Sequence, residues 1–265
     1  MIGTLMGRWL RRHRVLVLAL GAGLVVFEAH LLVLAEQFEG GADVGALIDA
    51  LPEFFRNLVR EKIRDLSMDG IVSTGFMHPI VIVTTCAATC LFATAGAADR
   101  EEGLLELVLA GPVSRRTYLT AVLSCVVIIS GVLPLCLWIG AGIGRLLVST
   151  PSEQPLTVHL GIALNLWALL FAVGGLALLF SATTPRRGPA MARLAGLLVP
   201  LLLIEFMGYL WDGFDVIRWM SPFHYMQQLP AQFAGEGRGF DEFILIAIGV
   251  VAAGFGCRRF VRHDI

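Results

Sequence analysis

Lysine is nearly missing from this 265-residue chain: Lys62 stands alone beside 19 arginines. A P-loop requires Gly-Lys-Ser/Thr, because its lysine reaches the terminal phosphates of the nucleotide. Lys62 follows Glu61, so the chain has no P-loop. If ATP drives this protein, another chain hydrolyses it. No HExxH occurs, and no Ser/His or paired-Asp arrangement recurs within an apolar run, which argues against a membrane-embedded enzyme. The net charge of −1 carries no footprint of a nucleic-acid partner, and none is expected. The five cysteines, Cys86, Cys90, Cys125, Cys136 and Cys257, all fall inside apolar stretches, so disulfides are not expected. Cys86 and Cys90 lie one helical turn apart. Small packing residues explain that pair better than a soft metal site, and no metal or cofactor bound by this chain is expected.

What the chain has in abundance is apolar sequence. Hydrophobic residues make up 57% of it, with mean hydropathy +0.78, against about 45–50% apolar residues in soluble domains. The excess is spread over the whole length, so residues 1–265 read as one all-α membrane domain. A bilayer core of about 30 Å needs roughly 20 apolar residues in a helix. Six runs qualify, at residues 15–35, 79–98, 119–142, 160–180, 194–211 and 243–257. The last is the shortest and spans only if Arg258 and Arg259 snorkel or the bilayer thins.

Basic residues mark the cytoplasmic side of a membrane protein. With the N-terminus inside, 13 basic residues fall on inner segments and 7 on outer ones. The expectation is therefore a multi-pass protein of the cytoplasmic (inner) membrane with both termini cytoplasmic. Arg8 to Arg14 followed by Val15 onward also resembles a signal peptide, but Glu28 and His30 interrupt it before the small residues of a cleavage site. An uncleaved first span fits better. Arg11-Arg12 is too bare for a twin-arginine signal.

Two outer segments carry pattern. Leu47, Leu51, Phe54, Phe55, Leu58, Ile63 and Leu66 recur at helical spacing, which predicts an amphipathic outer helix bounded by Gly40-Gly41 and Asp69-Gly70. The segment from Asp212 to Glu242 is rich in aromatics, and Trp219-Met220-Ser221-Pro222-Phe223 reads as a re-entrant turn before the last span.

The inner loop 99–118 is the most unusual stretch. Glu102 to Leu109 can form a short helix with Leu104, Leu105 and Val108 on one side, and Gly111-Pro112 stops it. Ser114 can cap the next helix. Arg115 and Arg116 then sit unfavourably at a positive helix end, so phospholipid headgroups or an acidic groove on a partner must favour them.

This loop resembles the permease subunits of type-two ATP-binding-cassette (ABC) exporters. The matching residues are Glu101-Glu102-Gly103-Leu104-Leu105-Glu106-Leu107 and Pro112-Val113-Ser114-Arg115-Arg116. Ser221-Pro222-Phe223-His224-Tyr225 and the basic ending from Arg258 to Asp264 resemble other parts of that family. Asp99-Arg100 departs from it, standing where a Gly-Glu pair is expected. The resemblance implies an export permease without its own ATPase site. Two permease copies, identical or related, would work with a cytosolic ABC ATPase that binds ATP and Mg. Glu101 to Leu109 would be the coupling helix docked in the ATPase. Glu101, Glu102, Glu106, Arg115 and Arg116 would hold that joint by charge, and Leu104, Leu105 and Val108 would supply buried area. Charge reversal at Glu102 and Glu106 is then expected to uncouple transport from ATP hydrolysis. An ATP-independent channel or scaffold would lack such a loop.

Glu28, Glu205 and Asn165 are the polar residues inside spans that need explaining. Glu28 lies about 20 Å along its helix from the inner edge, and Glu205 about 17 Å from Arg193. They can line one polar path for a cationic or hydrogen-bonding substrate, or Glu205 can sit at the interface because its span is short. Asn165 suits an interhelical hydrogen bond or the same path. Gly140-Ala141-Gly142-Ile143-Gly144 and Gly174-Gly175 permit close helix approach. Membrane lipid is the remaining expected partner.

Overall fold

A chain in lipid must satisfy its backbone hydrogen bonds within the protein, and a helix does so within one segment. The computed structural model describes residues 1–39, 68–149, 155–208, 213, 215–226 and 240–262. Among them every regular element is helical. In chain order these are α1 (Ile2–Arg12), α2 (Arg14–Glu39), α3 (Met68–Phe76), α4 (Pro79–Ala93), α5 (Ala95–Glu101) and α6 (Leu104–Ala110). Then follow α7 (Arg115–Leu147), α8 (Leu156–Thr183), α9 (Arg187–Gly208), α10 (Asp215–Arg218) and α11 (Phe240–Arg262). The predicted amphipathic helix over Leu47 to Leu66 lies outside the described residues. Asp69-Gly70, expected to break the chain, instead lies within α3.

Among the described residues, five helices are long and apolar enough to cross a membrane: α2, α7, α8, α9 and α11. A sixth crossing exists if α4 and α5, bent 54° from each other, are one span. The sequence led us to expect an unbroken helix over 79–98; the structure breaks it at Thr94. The break frees backbone groups that a continuous helix would pair, and distant residues take them up. Arg187 donates from Nη2 to the carbonyl of Leu91 and from Nε to Thr94 Oγ1 at 3.0 Å. The Ala97 N–H donates to Ser181 Oγ at 3.1 Å. Thr94 Oγ1 donates back to the Cys90 carbonyl at 2.7 Å, a bond that loosens the helix at its own position.

The last helix is longer than the run 243–257 suggested. It covers 23 residues, with Asp241 and Glu242 in its first turn and Arg259 and Arg262 in its last. That distribution complements the helix dipole at both ends, and hydropathy averaging alone does not detect it.

α8 lies at the centre. It packs most extensively on α11 and also touches α7, α4 and α9. Small residues allow this. A Cβ on Gly175 would collide with the Gly249 backbone, and one on Gly249 would come within 2.7 Å of Phe171. α2 meets α7 in the same way: a Cβ on Gly140 would lie 2.5 Å from the Val25 carbonyl, and one on Gly144 3.0 Å from Leu32. The expected close approaches at both glycine clusters are present. α7 has 33 residues, so at 1.5 Å each it measures about 50 Å. That exceeds the roughly 30 Å of hydrocarbon.

Candidate functional site

The basic ends of the helices gather around α5, and the gathering fixes α6. Asp99 is the hub. It is 2% exposed and accepts hydrogen bonds from Arg8, from Trp9 Nε1 at 3.3 Å and from Tyr118 Oη at 2.7 Å. A buried carboxylate requires such partners, since several kcal/mol are lost without them. Two of these donors come from α1, whose Leu5 and Trp9 are buried one turn apart. Trp9 meets the Tyr118 ring edge-on at 5.4 Å, and Phe260 of α11 stacks on the other side at 5.9 Å. The neighbouring Arg100 lies 5.5 Å from the Phe260 ring and donates to the Thr184 carbonyl at 2.9 Å. The departure at Asp99-Arg100 is therefore the tie between α1, α5, α7, α8 and α11.

The acidic cluster lies next along the chain. Glu102 forms a two-pronged pair with Arg12, at 2.9 and 2.6 Å. That hydrogen bond holds the Glu102 carboxyl below the ordinary carboxylate range and pushes Arg12 up. Glu101 accepts from the Arg187 N–H at 3.0 Å, at the start of α9. Burial lowers His13, at the α1–α2 junction, and Arg187 and Arg12 add to the effect. Both acids of the pair thus have partners in their own chain.

After Glu102 the chain turns through Gly103, whose φ of 69° is open to glycine without strain. α6 then starts at Leu104, two residues later than expected, and ends before Gly111-Pro112 as expected. Leu105 is fully buried against the chain's own core, so it is not available to a partner. Leu104 and Val108 are half-buried. The side chains presented outward are Glu106 and Leu107, with Pro112 beyond them. Leu107 is 71% exposed, and the periodicity did not single it out.

Ser114 caps α7 by accepting from the Thr117 N–H at 3.1 Å, as its position suggested. Arg115 has an explanation other than the two expected. It donates to the Val261 carbonyl at 3.3 Å, in the last turn of α11 where carbonyls lack helical partners. Arg116 is exposed.

Residues 3–260 match the family described as multidrug efflux system permease Rv1217c, C-terminal domain. The chain belongs to that family. No curated protein matches it. It is thus a multi-pass permease of an efflux family, with the transmembrane helices that work requires.

The three intramembrane polar residues of this efflux permease do not converge. Asn165 Nδ2 donates to the Tyr225 carbonyl at 3.1 Å and to Glu242 Oε1 at 3.4 Å, the interhelical bonding its position suggested. Glu205 Oε1 accepts from Arg218 Nη2 at 2.7 Å, and its other oxygen lies 3.6 Å from His224 Nδ1. Ser221, fully buried, donates from Oγ to the Leu201 carbonyl at 3.1 Å. Asn165 and Glu205 therefore clamp the turn 221–226, whose Phe223 and Met226 are buried in protein. That is the condition for irregular backbone at membrane depth. Glu28 is elsewhere, enclosed between α2, α3 and α7.

Proposed function

We propose that the chain is the transmembrane subunit of an ABC exporter of the type-two kind, and that a separate cytosolic ATPase drives it through α6. The observation that carries this reading is the construction of α6. Its base is held on three sides, by Arg12 to Glu102, by Arg187 to Glu101 and by the Asp99 hub, while Glu106 and Leu107 stand free on its outer face. A short helix so fixed moves with the spans as a lever, and an exposed leucine beside a carboxylate suits insertion into a cleft of another protein. The lack of a P-loop in this sequence supports assigning ATP and Mg to that partner. In this reading α6 and both termini face the cytoplasm, the membrane is the inner one, and a second permease copy completes the pathway. The chain itself is not an enzyme.

Glu106→Lys together with Leu107→Asp tests the reading in vesicles that hold permease and ATPase. Nucleotide hydrolysis by the ATPase should persist while transport stops. Transport at the unmodified rate would rule out α6 as the lever.

A further inference from the structure

Among the described residues, Glu28 is the only buried carboxyl with neither oxygen hydrogen-bonded. It has no exposed surface. Its place is made by glycines on two sides. A Cβ on Gly75 of α3 would overlap the Glu28 carboxyl, and one on Gly140 of α7 would lie 2.9 Å from the Glu28 Cβ. On the same packed helices Leu24, Leu32, Val72 and Phe76 are buried, as is Ser73. Four other ionisable groups on or beside the packed elements are engaged or exposed. Arg145 of α7 lies 3.3 Å from His159 Nδ1, Glu36 of α2 accepts from the Ser149 N–H at 2.6 Å, and His30 is exposed. His78, after α3, meets the Phe27 ring edge-on at 5.4 Å.

An unpaired charge in such surroundings is strongly disfavoured, so this packing favours the neutral acid. Chains rarely keep a partnerless carboxyl inside a span for packing alone, since a leucine or glutamine would fill the space at lower cost. α3 covers it through Gly75. Val26, on the same helix, is exposed.

We infer that Glu28 is the acid with which the permease reads lipophilic cations. In the closed packing its carboxyl keeps its proton. When α3 parts from α2 the O–H bond breaks, the proton leaves to water, and the carboxylate forms an ion pair with the cation; no covalent bond to the cation forms. The inference rests on the efflux reading and names a substrate class for it.

The test uses the purified full-length chain in phosphatidylglycerol–phosphatidylcholine vesicles and the apolar carbodiimide dicyclohexylcarbodiimide. This reagent adds across its C=N bond to neutral carboxylic acids in lipid. Peptide mapping should find Glu28 modified. Tetraphenylphosphonium should slow the modification by about tenfold, the factor one partly desolvated ion pair supplies, while neutral tetraphenylsilane should not. No modification at Glu28, or equal protection by both compounds, overturns the inference. Glu28→Asp should keep the selective protection, so the result does not depend on how well Glu28→Gln folds. A second arm measures export from cells. Glu28→Gln should lose tetraphenylphosphonium export and keep that of a neutral substrate; equal loss of both overturns the inference. If the wild type exports neither class, the efflux reading fails while the labelling result still decides whether Glu28 binds cations.

Discussion

At the scale of single residues, the partners of the inner acids govern this protein. Asp99 collects three donors in a buried place, and Tyr118 is one of them. Tyr118→Phe removes a hydrogen bond to a buried carboxylate and should lower stability by about 1–3 kcal/mol, read as a fall in unfolding temperature in detergent. An unchanged temperature would mean that Asp99 does not depend on the tyrosine. Glu102 behaves differently because it is exposed. Its folded carboxyl titrates lower than in the unfolded chain, so its contribution is present above the ordinary carboxylate range and is lost as pH falls through the lower folded value. Proteolysis of residues 1–12 should therefore rise at acid pH, and Arg12→Gln should remove that pH step while raising proteolysis at neutral pH. None of these contacts was legible in the sequence. Arg12 and Glu102 are 90 residues apart, and pairing at that separation leaves no local pattern. Asp99 stood out only as a departure from the resemblance. α1 is different, since the spacing of Leu5 and Trp9 was there to be read but was hidden by the arginines, which serve equally well as flanking charge.

At the scale of elements, the spans were legible and their irregularities were not. Hydropathy located the five described helices long and apolar enough to cross a membrane, and the bent pair α4–α5, because lipid demands length and apolarity of each helix. The break at Thr94 escaped because its causes, Arg187 and Ser181, lie on α9 and α8. The true ends of α11 escaped because charged residues at a helix terminus are favourable for the dipole yet lower a hydropathy average. The close approach of α2 and α7 at Gly140 was anticipated, and it gives a paired prediction. Gly140→Ala places a methyl against the Val25 carbonyl and should cost about 1–3 kcal/mol through overpacking. Gly142→Ala faces open space and should gain up to about 1 kcal/mol from helix propensity. Thermal unfolding of the two variants side by side checks both, and equal effects would contradict the described packing.

At the scale of the whole molecule, the permease is a bundle centred on α8 with two separate polar provisions. One is the clamp formed by Asn165 and Glu205 on the turn 221–226, which makes these residues structural supports for that turn. Arg218→Met should leave Glu205 without its close cation and cost about 3–5 kcal/mol, visible as loss of folded protein. The other is the joint at α5 and α6, where the bundle's basic ends meet. The most direct test of that joint is a photo-crosslinking amino acid at Leu107 in the full-length permease, irradiated in its native membrane. The expected product is a covalent adduct with a P-loop ATPase, absent when the same group replaces Leu164, which is exposed on α8. Adducts to lipid alone, with no ATPase at Leu107, would contradict a drive transmitted through α6.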